Sequence, residues 1–407
     1  MKELELYIHI PFCIRKCEYC DFLSFPANAK TQKEYVDALI KEILYYAPKF
    51  KNRKVVTIFF GGGTPSWLDY KLLVSILDTI KANYDVADDA EITLEANPGT
   101  VVKSAMESYK KAGINRLSIG LQSTKDNELK ILGRVHNYEQ FLKIYHLARK
   151  VGFDNINIDL MSGLPYQKID DFMKSLNEVI RLKPEHLSVY TLIIEKGTPF
   201  YDKYKFDDVK QHAGMVTEAL PSEDDVYTMY KLTQQTLKNA GYMQYETSNF
   251  AKKGLECRHN IGYWQRKDYL GLGLGAASLV DNVRYSNKRD IYDYVTSANK
   301  IQKVELSSES DRQLTDNELD LYNNLHDTVQ ILSKQEQMEE FMFLGLRMNQ
   351  GISRSDFEEN FNLPIEGVYK KQIDKLKQEG LLEVKHGQVY LTDKGSDLAN
   401  YCMAQFV

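Results

Sequence analysis

Short apolar segments alternate with amphipathic segments over the first half of the chain. The apolar segments are six or seven residues long and rich in Val, Ile, Leu and Phe, which is typical of buried strands. Between them, apolar residues recur every three or four positions, which is the helical period. The pattern predicts strands at 4–10, 55–60, 91–97, 116–122, 155–161 and 186–192, with helices at 31–46, 71–83, 101–112, 138–151 and 169–181.

This alternation predicts an α/β fold in which parallel strands are joined by right-handed helical crossovers. Six units are too few for a closed eight-stranded barrel, so we expect an open, partial (β/α)6-type barrel. Parallel barrels place their chemistry at the carboxyl ends of the strands. A cysteine-rich loop follows the first strand, GGGTP (61–65) follows the second, and the next three strands end at Glu95, Gln122 and Asp159. These positions predict a single active-site mouth.

The second half of the chain is less regular. A charged, poorly periodic stretch at 200–225 predicts a surface excursion, and a charged stretch at 305–316 predicts a linker. The tail from about 320 has three helical segments and a short hairpin, which is the pattern of a winged helix. The predicted domains are 1–225 (partial barrel), 226–304 (barrel extension) and 317–407 (smaller winged-helix-like domain).

Charge and composition limit the classes of partner and the compartment that we expect for this protein. Among 407 residues, 52 Lys and Arg face 57 Asp and Glu, and the net charge of −5 argues against a nucleic-acid partner. Basic residues of the winged-helix tail are offset by acidic ones, so a packing or interaction role is expected there. No apolar run is long enough to span a bilayer, although transient membrane association stays open. Few cysteines and no visible targeting peptide predict a cytoplasmic setting.

Cys13, Cys17 and Cys20 stand in a C-x3-C-x2-C spacing, three of only five cysteines within eight residues. An odd trio cannot pair off as disulfides, and a zinc site would need a nearby fourth ligand. The charged neighbours Arg15, Lys16 and Glu18 argue against three buried free thiols. Three thiolates can instead hold an iron–sulfur cluster that keeps one iron open to a small molecule.

A second concentrated signal is HNIGYW (259–264), which combines an imidazole, an amide and two large aromatic side chains. Imidazole is a common haem ligand, and aromatic rings can flank a flat macrocycle. From composition alone, however, a packed loop with a hydrogen-bonded histidine is the better interpretation. Cys257 and Cys402 are expected to be buried thiols.

Together, CIRKCEYC, GGGTP, LEANP, GLQS, LGRVHN and NIDLMSGLP resemble the radical S-adenosylmethionine (radical SAM) superfamily, in its oxygen-independent coproporphyrinogen III oxidase branch. The resemblance covers essentially the whole chain. It implies a 4Fe–4S cluster on the three cysteines and S-adenosylmethionine at the open iron. It also implies an electron donor for reductive cleavage of that cofactor. The implied cofactor-binding residues are Tyr7, Tyr19, Gly62, Gly63, Thr64, Glu95, Gln122, Arg134 and Asp159.

Two details divide that branch. The oxidases resemble C-x3-C-x2-C-x-C, whereas this chain has Phe22 at the last position. The haem chaperones of the branch carry HNxxYW, and this resemblance reverses the interpretation from composition. It implies haem binding near His259, Asn260, Tyr263 and Trp264, and haem delivery to respiratory-chain proteins. Many relatives have a histidine where this chain has Ala277. The alternative hypothesis is a coproporphyrinogen III oxidase, and a redox-sensing, DNA-binding role is a third.

Overall fold

Six parallel strands form the first part of a large sheet in the computed structural model, which describes residues 1–301 and 324–407. Neighbouring strands follow chain order, each pairing in parallel with the next. The strands are β1 (Lys2–Ile10), β2 (Arg53–Gly62), β3 (Asp85–Ala96), β4 (Arg116–Gln122), β5 (Ile156–Ser162) and β6 (His186–Thr191). The helices between them are α1 (Ala29–Tyr46), α2 (Tyr70–Asn83), α3 (Lys103–Ala112), α4 (Asp126–Ile131), α5 (Tyr138–Val151) and α6 (Ile169–Arg181).

The strands separate an apolar face from a polar one because side chains alternate along a strand. In β1, Leu4, Leu6 and Ile8 are fully buried in the main core. Glu5 and His9 point the other way, into the barrel, where Glu5 lies near His259 and His9 contacts Tyr7 and the Leu23 carbonyl. Helices cover the apolar face, whereas polar side chains of the other face line the barrel interior.

The segment after β6 continues the fold as two helices, α7 (Pro199–His212) and α8 (Glu223–Asn239). The stretch expected as a surface excursion therefore contains all of α7 except its first residue, together with the start of α8. Helix α7 begins with Thr198 as N-cap and Pro199 in its first turn, which are both helix-start signals. Only Phe200 and Tyr204 of α7 are buried, which is why the segment lacks a clear helical period.

The remaining strands extend both edges of the same sheet. Strand β6 is followed by β8 and then β7, whereas β9 pairs with β1 in parallel and continues to β12 through antiparallel neighbours. A short helix, α9, connects the two edges. These elements are β7 (Met243–Gln244), β8 (Asn249–Ala251), α9 (Arg258–Trp264), β9 (Tyr269–Leu272), β10 (Ala277–Val280), β11 (Val283–Asn287), α10 (Ile291–Lys300) and β12 (His326–Ile331).

A smaller domain follows with its own apolar core and a three-stranded antiparallel sheet in the order β13–β15–β14. Its helix–helix–helix–hairpin sequence confirms the predicted winged-helix-like fold. Its elements are α11 (Lys334–Gly345), β13 (Ile352–Ser353), α12 (Arg354–Phe361), α13 (Ile365–Gln378), β14 (Leu382–Lys385), β15 (Gln388–Leu391), α14 (Asp393–Asp397) and α15 (Ala399–Met403).

The α/β fold class with a partial barrel is confirmed, whereas the exact domain boundaries stay a prediction. Strand β12 pairs with β11 in the large sheet although it lies inside the predicted range 317–407. The predicted linker at 305–316 lies outside the described residues. Among the helices that the structure describes, none is long and apolar enough to cross a membrane.

Glu42 of α1 joins the extension to the barrel. Its buried carboxyl accepts hydrogen bonds from Asn287 Nδ2 at 2.6 Å, Tyr294 Oη at 2.5 Å and Gly273 N at 2.9 Å. We predict that Glu42→Ala lowers the free energy of unfolding by about 2–4 kcal/mol, because it removes one acceptor shared by three buried donors, of which only Asn287 Nδ2 has a second acceptor, the Gly273 carbonyl. Urea unfolding followed by circular dichroism measures this. Glu34→Ala, at an exposed position of the same helix, is the control, and equal losses in both variants would contradict the assignment.

Candidate functional site

A cavity of about 150 Å³ opens at the carboxyl ends of the parallel strands. The three clustered cysteines line it: Cys13 is buried, and Cys17 and Cys20 are half-buried. Backbone hydrogen bonds hold their loop, from Cys13 N to Phe25 O at 3.2 Å and from Cys20 N to Cys17 O at 3.2 Å. The active-site mouth predicted at the strand ends is therefore a cavity, and three thiols line it.

Two donors from neighbouring elements point at these sulfur atoms. Thr64 Oγ1 lies 3.5 Å from Cys13 Sγ, and Arg134 Nη1 lies 3.6 Å from Cys17 Sγ. Arg134 is anchored by a second hydrogen bond, from Nη2 to the Gly120 carbonyl at 2.6 Å. A hydroxyl and a guanidinium placed in this way stabilise negative charge on sulfur.

The glycine-rich turn after β2 brings backbone to the edge of the cavity. At Gly63 an added Cβ would lie 2.8 Å from the Phe12 carbonyl oxygen, so only glycine allows this approach. Gly62 has φ +111°, in the left-handed region, and its N–H donates to Glu95 Oε2 at 3.2 Å. The turn thus places a carboxyl group beside the backbone at the cavity wall.

Glu95 and Asp159 supply two acidic groups to the same cavity. Burial, and secondarily the nearby Asp159, raise the pKa of Glu95 from 4.5 to about 8. Burial also raises the pKa of Asp159, although Asn157 Nδ2 donates to its Oδ1 at 2.7 Å. Carboxyl groups in such surroundings regain their charge when a cation binds beside them.

The structure brings together nearly all the residues that the sequence predicted for this site. Tyr19, Gly62, Gly63, Thr64, Glu95, Gln122, Arg134 and Asp159 all line the cavity. Tyr7 does not: it stacks with Phe59, and its hydroxyl pairs with His9 Nδ1 at 3.1 Å. The prediction omitted Ser118 and Asn97, which also line the cavity. The two-residue alternation of β4 could have identified Ser118 as an interior residue.

The HNIGYW segment forms α9 at the opposite end of the barrel. The His259 amide donates to Glu91 Oε1 at 3.2 Å, and its Nδ1 lies 2.7 Å from Thr57 Oγ1. Thr57 lies in the first half of β2 and pairs in register with Glu91 of β3 and Glu5 of β1, whereas the cysteine loop follows the end of β1. Gly262 packs so closely that an added Cβ would lie 1.9 Å from Glu5 Oε1. Helix α9 therefore closes the amino end of the barrel.

Both ring nitrogens of His259 have hydrogen-bond partners inside the protein. Its Nε2 pairs with the Tyr263 hydroxyl at 3.1 Å, and the ring stacks on Phe59. Burial lowers the pKa of His259 to about 3, so the ring is neutral. Asn260 is half-buried in the same helix, and Trp264 lies under the Arg347 guanidinium at 4.3 Å. In this conformation His259 presents no free nitrogen to an external ligand.

Comparison with known proteins agrees with the fold. The radical SAM superfamily model matches residues 7–179, and the HemN C-terminal domain model matches residues 332–398. The solved coproporphyrinogen III oxidase HemN of Escherichia coli has a TM-score of 0.81 at 24% identity, covering 100% of this chain and 90% of that one. The chain is a member of the radical SAM superfamily.

The curated relatives place it more narrowly. The haem chaperone HemW of Bacillus subtilis is 34% identical over 98% of both chains. HemW of Escherichia coli is 42% identical over 67% of this chain and 69% of its own length. Within the superfamily, the chain belongs to the family of the haem chaperone HemW, which confirms the predicted branch.

The raised pKa of Glu95 predicts a pH-dependent stability. Between about pH 4.5 and 8 the unfolded state loses this proton before the folded state does, so stability falls as pH rises through that window. We expect Glu95→Gln to raise the free energy of unfolding by about 2–4 kcal/mol at pH 8 and by little at pH 4.5. Urea titrations at both pH values measure this, with exposed Glu107→Gln as control. A difference that does not change with pH would contradict the prediction.

Proposed function

We propose that this protein is a cytoplasmic haem-binding chaperone with a radical SAM centre. It carries a 4Fe–4S cluster and S-adenosylmethionine and delivers haem to respiratory-chain proteins. The observation that supports the centre most directly is the cavity that three thiols share with the glycine-rich turn, Glu95 and Asp159. The haem-related part rests on the HemW relatives over the full length of the chain.

The residues at the cavity fit a thiolate-ligated cluster. Cys13, Cys17 and Cys20 would ligate it, and three ligands leave one iron of a four-iron cluster open. Arg134 Nε is buried in the cavity wall without a hydrogen-bond partner, so it could donate to a group bound there. Thr64 and Arg134 would lower the cost of holding thiolate charge there.

The same cavity suits a zwitterionic, sulfonium-bearing ligand. Glu95 and Asp159 offer negative charge to its cationic groups, and the backbone at Gly62 and Gly63 allows it to lie close to the wall. Tyr19, Gln122 and Thr64 add polar contacts at other walls. When bound, the cluster and S-adenosylmethionine supply one-electron reductive cleavage of a sulfonium C–S bond. The protein's part is to orient the cofactor and to exclude water.

The surface beside the cysteine loop suits an electron donor. Arg15 and Lys16 line the cavity mouth and are exposed, and Phe22 next to them is 70% exposed. An acidic protein carrier would meet complementary charge and an apolar contact there.

An alternative function is oxygen-independent coproporphyrinogen III oxidase. It is supported by the structural similarity to HemN over the whole chain and by the shared radical SAM fold. Phe22 argues against this function, since the oxidases that the chain resembles have a cysteine at that position. The two functions differ in outcome: an oxidase consumes its porphyrin substrate, whereas a chaperone binds haem and releases it unchanged.

We predict that anaerobic reconstitution loads about four irons per chain into the native protein. Cys13→Ala, Cys17→Ala and Cys20→Ala should each lose most of this iron because each removes one of three ligands. Iron and sulfide assays with visible absorbance measure the loading. Cys402→Ala, in the core of the small domain, is the matched control and should load normally. Normal loading in the three clustered variants would reject the assignment.

We predict saturable binding of haemin by the reconstituted protein and transfer of the bound haem to an apo-cytochrome. Soret-band titration and spectral transfer measure these steps. With coproporphyrinogen III, S-adenosylmethionine and a reductant, no protoporphyrinogen should form. Product formation without saturable haem binding would favour the oxidase instead.

A further inference from the structure

A second groove lies on the carboxyl side of the sheet, separate from the cysteine cavity. It has a volume of about 390 Å³, which is within the range of small-molecule and cofactor sites. It is bounded by the end of β6 and by the facing helices α7 and α8. Its lining is largely apolar or aromatic and includes one histidine, His212. The apolar and aromatic lining residues are Leu192, Ile193, Ile194, Leu220, Val226, Tyr227 and Tyr230.

His212 in this groove has the hydrogen bonding of a metal-ligating imidazole. Its Nδ1 lies 2.8 Å from the backbone carbonyl oxygen of Asp208 and 3.6 Å from the carboxylate of the same residue. An Nδ1–H donated to a carbonyl leaves the lone pair on Nε2, which is the tautomer that ligates iron. The side chain is 67% exposed, and Nε2 has no hydrogen-bond partner among residues 1–301 and 324–407.

Other histidines are less suited to this role. His9, His186 and His259 each have both ring nitrogens hydrogen bonded inside the barrel. His146 is exposed on α5 and lines none of the described cavities. Larger cavities of about 470 and 610 Å³ are lined mostly by polar and charged side chains, and no histidine lines either of them.

Large apolar side chains of the groove, of α7 and of the segment after α7 are exposed. Ile193, which lines the groove, is 66% exposed. Val209 is 68% and Val216 95% exposed, and Phe206 and Met215 are exposed as well. Exposed large apolar side chains in such number are typical of an interaction site. A flat apolar macrocycle with an iron at its centre would cover such a surface and give His212 its missing partner.

We infer that the groove between β6, α7 and α8 binds an iron porphyrin with His212 Nε2 as an axial ligand. This inference rests on the proposed function, because it names the place where the haem cargo is held. Asp208 and Glu223 at the groove would repel the porphyrin's propionates, which therefore extend to solvent. The barrel-closing histidine of α9 keeps its structural role.

The groove and the cysteine cavity share a wall. Leu192 and Ile194 of the groove pack in one small cluster with Tyr19 of the cysteine loop and Phe200 of α7. The Phe200 amide also donates to the Glu18 carbonyl at 2.9 Å. A porphyrin in the groove would thus lie on the far side of a packed layer from the cluster.

The test is a Soret titration of haemin into reconstituted full-length protein, with resonance Raman spectra to identify the axial ligand. The titration is run at pH 8, because the hydrogen bond to Asp208 raises the pKa of His212 and protons compete with iron for Nε2. His212→Gly should weaken haemin binding at least about tenfold and remove the histidine-ligated signature. Free imidazole should restore that signature.

Two further variants separate ligation from fold effects. Val226→Trp fills the groove and should weaken haemin binding while iron–sulfur content stays normal. His146→Ala, at an exposed position outside the groove, should bind as the native protein does. If His212→Gly keeps native affinity and signature, or if His259→Ala with a native melting temperature loses the signature, the inference is wrong although haem binding stands. If the native protein binds no haemin, the proposed function fails with it.

Discussion

The interior of the partial barrel is lined by polar side chains. Because a buried polar group needs a hydrogen-bond partner when water is excluded, the elements at both ends of the barrel have to supply such partners or leave them to a ligand. Arg116 is 2% exposed, and its charge interacts with Glu91, which α9 contacts, and with Asp159, which lines the cysteine cavity. The two ends of the barrel differ in how they meet this constraint.

At the amino end the protein itself supplies partners for most of the polar groups, although Glu5 Oε2 and Trp264 Nε1 are buried without one. Helix α9 inserts the His259 ring between Thr57 and Tyr263 and places backbone N–H groups on the Glu91 carboxylate. Close packing of Gly262 on Glu5 makes this possible. The amino end is consequently a closed, structural part of the molecule, which also contacts the small domain through Trp264 and Arg347.

At the carboxyl end the polar groups remain incompletely satisfied. Glu95 and Asp159 have raised pKa values because of burial, and Arg134 Nε lacks a partner. The same strand ends carry the three thiols and the glycine-rich turn. These groups lower the stability of the folded protein but are placed where a ligand could bind them, which is the usual relation between stability and a binding site. The neighbouring apolar groove with His212 lies on this open side as well, at the ends of β5 and β6.

The sequence by itself determined the parallel strands, the partial barrel and most of the residues around the cysteine cavity. This was possible because strand period and strand ends are local properties, and parallel strands bring their carboxyl ends to one edge. The sequence could not show that α9 closes the amino end, since the contacts of His259 with Thr57 and Glu91 span more than 160 positions. Nor could it show that β9 and β12 join the barrel sheet, or that weakly periodic α7 brings His212 to an apolar groove. Those placements depend on long-range packing, which only the tertiary structure decides.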